Sequence, residues 1–136
     1  MKRIIFCGDR LWTDELFIWN TLSTLKSYFG PFVVIEGEAK GADTMARVAA
    51  VTMHLEVASY PADWETYGRA AGPVRNKQMV IEGHANGVCA FHNDLEHSRG
   101  TRHMVLLARR VFHLPVWVST EGPTHLDAFA RLVMNP

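Results

Sequence analysis

The chain has 136 residues, enough for one domain around one core. At 48% hydrophobic and 21% charged, its composition is that of an ordinary globular protein, and folding calls for no disulfide or metal staple. The 14 basic and 14 acidic residues give a net charge of zero, which argues against a general nucleic-acid binder but not against a local basic pocket.

Cys7 and Cys89 both sit in apolar, strand-like runs and read as buried reduced thiols. Met1-Lys2-Arg3 leads into only a short apolar run before Gly8 and Asp9, so no secretory signal is read there. No apolar run approaches the roughly 18 residues of a membrane span. A cytoplasmic location, with no membrane partner, is the expectation.

The first predicted strand is Ile4–Cys7. Thr13 is placed to cap a helix whose first turn carries Asp14 and Glu15, as the helix dipole favours. Leu16, Trp19, Leu22, Leu25 and Phe29 are expected on its inner face, and Gly30-Pro31 ends it. Phe32–Ile35 is a second strand and Glu36–Gly41 a loop. The next helix runs over 42–53, with a small-residue inner face of Ala42, Met45, Ala46, Ala49, Ala50 and Met53. Leu55–Ser59 is a third strand. A long connection, 60–72, precedes a helix over 74–82 with Pro73 in its first turn. Gly87–Phe91 is the fourth strand. After the polar loop 92–99 comes a helix with Met104, Val105, Ala108 and Val111 inward. Pro115–Val118 is a fifth strand and 125–133 a last helix.

Strands alternating with helices predict a Rossmann-like, three-layer α/β domain over residues 1–136 with a mostly parallel five-stranded sheet. Right-handed crossovers put the strand-to-helix loops on one edge, and a ligand crevice opens where strand order reverses. The reversal is expected between the first and fourth strands, which selects the loops after Cys7 and Phe91, with the loop after Glu36 as neighbour.

Four segments at that edge can carry chemistry. In Gly8-Asp9-Arg10 the glycine permits close approach and the arginine can grip a phosphate or carboxylate, although the segment also fits a plain turn beside a solvated charge. Gly37-Glu38-Ala39-Lys40-Gly41-Ala42-Asp43 offers free N–H groups at a helix start, but it is neither a Walker loop nor a dinucleotide fingerprint. Arg75-Asn76, on the first turn of a helix, can donate several hydrogen bonds to a phosphate or base edge, or can simply begin a surface helix. Trp64 and Tyr67 are placed to stack on a base or to cover the core. Ser98-Arg99-Gly100-Thr101 combines hydroxyls with a helix N-terminus, the makings of a phosphate cradle or of ordinary capping. His92, His97 and His103 lack metal-ligand spacing and read as exposed loop histidines, so neither a metal nor a cofactor is called for.

Together these stretches resemble the SLOG superfamily, and within it the YspA-like group. The matching blocks run in order. They are Gly8-Asp9-Arg10 with Thr13-Asp14, Gly37 with Lys40-Gly41-Ala42-Asp43, Pro61-Ala62-Asp63-Trp64, Tyr67 to Asn76, and Ala90-Phe91 followed by Ser98 to Met104. The resemblance implies a Rossmann-like fold that binds nucleotides or nucleotide-derived signals. Relatives include lonely-guy-type phosphoribohydrolases, sensors of NAD-derived signals and domains that bind single-stranded DNA. The hydrolases carry Pro-Gly-Gly-x-Gly-Thr-x-x-Glu, with the Glu serving glycosidic cleavage. Here Gly100 and Thr101 match, but Glu96, His97 and Ser98 stand at the Pro-Gly-Gly places and Met104 at the Glu place. A methionine cannot serve as acid, base or charge stabiliser.

The leading expectation is therefore a binding module for a phosphate-bearing nucleotide, of ADP-ribose type among others. It would use Gly8, Asp9, Arg10, Gly37, Glu38, Gly41, Ala42, Asp43, Arg75, Asn76, Ser98, Gly100 and Thr101. A nucleotide hydrolase is the alternative, with Glu38 and Asp43 as candidate catalytic carboxylates and Glu36 and Asp94 also on the right loops. Single-stranded nucleic-acid binding comes third. Self-association is common in the resembling families, and Trp12, Phe17 and Trp19 are read as contact residues or as core.

Overall fold

A sheet covered on both faces needs apolar side chains pointing both ways, and three of the strands supply them. In the computed structural model, which describes residues 1–136, β1 (Arg3–Gly8), β2 (Val33–Glu36), β3 (Glu56–Ser59), β4 (Gly87–Phe91) and β5 (Val116–Val118) form one sheet. Its order is β3-β2-β1-β4-β5 and every pairing is parallel. The α/β Rossmann-like expectation holds, and the order reverses between β1 and β4 as anticipated. In register, Ile5 lies beside Ile35 on one side and Val88 on the other.

Alternate strand residues feed two cores. Ile4, Phe6, Phe32, Val34, Cys89, Phe91 and Trp117 pack under α1 (Glu15–Phe29), α2 (Ala42–Thr52) and α6 (Pro123–Met134). Ile5, Cys7, Val33, Ile35, Val88, Ala90 and Val118 face the other way, under α4 (Ala71–Ile81) and α5 (Gly100–Leu106). The one-turn α3 (Trp64–Tyr67) interrupts the connection after β3. Both cysteines are buried and free, on opposite faces of the sheet. No helix is long and apolar enough to cross a membrane.

The differences from expectation are local. Asp14, not Thr13, caps α1, its carboxylate accepting from the Phe17 N–H at 3.0 Å. The buried face of α1 is Ile18, Thr21, Leu22 and Leu25, whereas Leu16 is 67% and Trp19 38% exposed. Those two line an apolar groove of about 730 Å³ between α1 and α2, together with Met45 and Val48. Trp12 and Phe17 are packed against the core. Helix α4 starts at Ala71, three residues earlier than expected, because Pro73 is tolerated anywhere in a first turn whose N–H groups have no helical partner. Val111 is exposed because α5 widens into a π turn over Leu107–Val111, which takes later residues off the inner face.

Candidate functional site

The strand-order reversal is held together by backbone. The Asp9 N–H donates to the Phe91 carbonyl at 2.9 Å, and the Ala42 N–H donates to the Asp9 carbonyl at 3.1 Å. Three loops therefore meet at Gly8–Asp9. A Cβ at Gly8 would overlap the Phe91 carbonyl and stand 2.8 Å from the Ala42 Cβ. Gly41 has φ of +72°, and a Cβ there would run into the Asp9 and Arg10 backbone. Gly8, Gly41 and Ala42 thus act through close packing of the chain on itself.

Beyond this junction opens a cleft of about 990 Å³. Of the residues singled out from sequence, it brings together Gly8, Asp9, Arg10, Asp43, Arg75, Asn76, Ser98, Gly100 and Thr101. Arg75 is fixed at two points. Its Nη1 donates to the Gly37 carbonyl at 2.6 Å and its Nε donates to Asn76 Oδ1 at 3.1 Å. A guanidinium has five N–H donors, so most of this one remains available to a bound anion, already oriented. Ser98 Oγ accepts from the Thr101 N–H at 3.1 Å, so Ser98 supplies the capping oxygen at the start of α5. Gly100 is open: a Cβ there would meet nothing within 4 Å.

The charge balance of the cleft differs from that of the chain. Arg10, Arg69, Arg75 and Arg99 line it, against Asp9 and Asp43. A neutral protein thus carries a locally basic cleft, the arrangement that net charge alone left open.

Asp43 is the one candidate catalytic carboxylate that reaches this space. It is 4% exposed, and its Oδ2 accepts from the Gly37 N–H at 2.9 Å and more weakly from Ala39 at 3.5 Å. Burial dominates and pushes its pKa up to about 6, opposed by the Gly37 hydrogen bond and the Arg75 charge. Glu38 is not brought to the cleft. It sits at φ of +57°, and its carboxylate pairs with Arg47 at 3.6 Å. Glu36 is fully buried, accepting from the Ser59 hydroxyl and the Glu38 N–H, and Asp94 pairs with His97 at 2.8 Å on the surface. Gly37 is filled in by Arg75, with no room for a Cβ. Met104, at the carboxylate place of the hydrolase motif, is fully buried in the core under α4 and α5.

Two histidines read as exposed loop residues belong to the cleft. His92 is 14% exposed in its side chain; its Nδ1 accepts from the Asp94 N–H at 2.9 Å, which leaves Nε2 facing Asp9 Oδ2 at 3.9 Å. His103 lines the cleft and meets Asn76 Nδ2 at 3.0 Å through Nδ1, and burial lowers its pKa. His97, 80% exposed, is the surface histidine expected. Arg69, Arg99 and Trp64 also line the cleft, Trp64 being 52% exposed. Of these, the stacking aromatic was the one with a usable signal in sequence.

Comparison with known proteins agrees with this fold. The model of the YspA, cpYpsA-related SLOG family matches residues 2–67. The Gene 61 protein of Mycobacterium phage D29 is 37% identical over 117 residues, covering 81% of this chain and 90% of that protein. Among solved structures, DNA processing protein A (DprA) from Streptococcus pneumoniae superposes with a TM-score of 0.63 over 86% of this chain at 17% identity. The chain spans about half, 49%, of that protein. With its parallel sheet, its reversal between β1 and β4 and its glycine-mediated loop junction, the chain belongs to the YspA, cpYpsA-related SLOG family.

Proposed function

We propose that this protein binds a phosphate-bearing nucleotide, or a signal derived from one, in the cleft beyond β1 and β4, as sensor, carrier or sequestering protein. One observation carries the reading: Arg75, braced by Gly37 and Asn76, faces a cleft that three more arginines line in a chain of zero net charge. A braced guanidinium loses little freedom when it grips a phosphate. The volume, about 990 Å³, suits a nucleotide-sized ligand, and Trp64 offers a face for a base. Membership of the SLOG family supports a nucleotide-related ligand.

A second reading, nucleotide hydrolysis at an N-glycosidic or phosphate bond, has Asp43 in its favour. A buried carboxyl titrating near pH 6 is suited to general acid–base work.

Native mass spectrometry of the purified protein, followed by a panel of mononucleotides, dinucleotides and ADP-ribose scored for thermal shift and for products, separates these readings. Saturable binding with the ligand recovered intact supports the binding module. Released base or phosphate that vanishes in Asp43→Asn supports the hydrolase. No shift and no product with any nucleotide overturns both. A short single-stranded DNA belongs in the panel because the structural match is to a DNA processing protein. A salt-sensitive gel shift would move the reading to nucleic acid.

A further inference from the structure

Asn76 is 4% exposed and sits between three groups. Two of them fix which way its amide points. Arg75 Nε can only donate, so the atom 3.1 Å from it is the Asn76 oxygen. The Gly100 carbonyl can only accept, so the atom 3.3 Å from it is the Asn76 nitrogen. That same nitrogen lies 3.0 Å from His103 Nδ1. An amide nitrogen only donates, so Nδ1 must present its lone pair. The ring proton is then on Nε2, and the one hydrogen-bonding atom His103 can offer the cleft is an N–H donor. Burial of the ring disfavours a second proton and keeps it neutral.

We infer that His103 is a specificity-determining residue of the cleft: the Arg75–Asn76–Gly100 network locks it as the neutral Nε2–H tautomer, and that N–H donates to a phosphate oxygen of the bound nucleotide. The inference rests on the nucleotide-binding reading. It also goes beyond it, because a fixed neutral donor beside the arginines accepts only a lone-pair group. It turns away a ligand group that has only hydrogen-bond donors to present at the same place, and the arginines repel such a group when it is cationic. The phosphate is the group that fits, since Arg75, Thr101 and His103 line one cleft.

Two measurements test this. In the ligand-free protein at pH 7, long-range proton–nitrogen NMR reads the tautomer directly; a pyridine-like Nδ1 and a pyrrole-like Nε2 are expected for His103. Binding of AMP and of inorganic pyrophosphate is then compared in His103→Gln and His103→Phe. A glutamine can accept from Asn76 through its oxygen and donate through its nitrogen, so it keeps affinity within about twofold of wild type. Phenylalanine can do neither, and binding falls by about tenfold or more, as loss of one hydrogen bond to a charged group implies. If the phenylalanine variant does not fold, Asn76→Asp replaces it. An aspartate accepts at both positions, so it draws the ring proton to Nδ1, flips the NMR signature and weakens AMP binding. A wild-type Nδ1–H tautomer, an even mixture, or equal affinities for the glutamine and phenylalanine variants would overturn the inference. Wild-type protein that binds neither probe nor any nucleotide of the wider panel overturns the nucleotide reading, and donation to phosphate with it. The tautomer is read without ligand and so is decided separately.

Discussion

Two loops at the same sheet edge looked alike in sequence. Gly37–Asp43 after β2 and His92–Thr101 after β4 both combine glycine with a helix start, and both are written as anion sites in residues alone. In the folded chain they part. The β2 loop is closed on itself: the Gly37 and Ala39 N–H groups are taken by Asp43, the Gly37 carbonyl by Arg75, and Gly41 abuts the backbone of Asp9 and Arg10. The β4 loop stays open, with space in front of Gly100 and its lining residues turned to the cleft. Glycine in the first loop serves close approach of protein to protein, and in the second it leaves room for a ligand. Sequence pattern cannot tell these apart, because the difference lies in what stands opposite.

The largest expected effects fall on the closed loop. Gly41→Ala is predicted to cost about 4 kcal/mol in urea denaturation, combining a left-handed backbone with a clash against Asp9. Gly100→Ala should stay within about 0.5 kcal/mol of wild type while weakening nucleotide binding. Equal losses of stability would break the comparison.

Asp43 gives the next effect. Its pKa is raised to about 6 from 3.8, so the folded chain holds this proton more tightly than the unfolded one. The group therefore favours folding most below about pH 4, and that contribution is lost as the pH rises through about 6. Relative to wild type, Asp43→Asn should be more stable at pH 7.5 than at pH 4, by up to about 3 kcal/mol. A difference independent of pH would mean that the carboxylate is not buried as described.

Arg75→Ala should weaken nucleotide binding by about 2 kcal/mol, roughly thirtyfold, in calorimetric titration, and Arg75→Lys should recover little because lysine cannot reach Gly37 and Asn76 as a fork. Ser98→Ala, the smallest change, removes the oxygen that caps Thr101 and should cost about 1 kcal/mol in stability.

Much of the fold was legible because buried parallel strands announce themselves as short apolar runs, here Ile4–Cys7, Phe32–Ile35 and Gly87–Phe91. The inner face of α1 was misjudged because Leu16 and Trp19 are apolar yet point into the α1–α2 groove, and apolarity alone does not say which side is covered. Arg75 and Asn76 were recognisable as a block of adjacent donors. His103 was not, since its role depends on an amide 27 positions away in sequence whose direction Arg75 and Gly100 dictate. Glu38 and Asp43 were equivalent candidates on one loop until folding turned one toward Arg47 and the other toward the cleft.

The most direct test of the central claim is an amide NMR titration of the wild-type protein with AMP and ADP-ribose. Binding in the cleft predicts saturable shifts at Gly8–Arg10, Arg75–Asn76 and Ser98–His103, with Leu16, Trp19 and Val48 of the α1–α2 groove left nearly unchanged. Shifts centred on Leu16, Trp19 and Val48, or none at millimolar ligand, would contradict it.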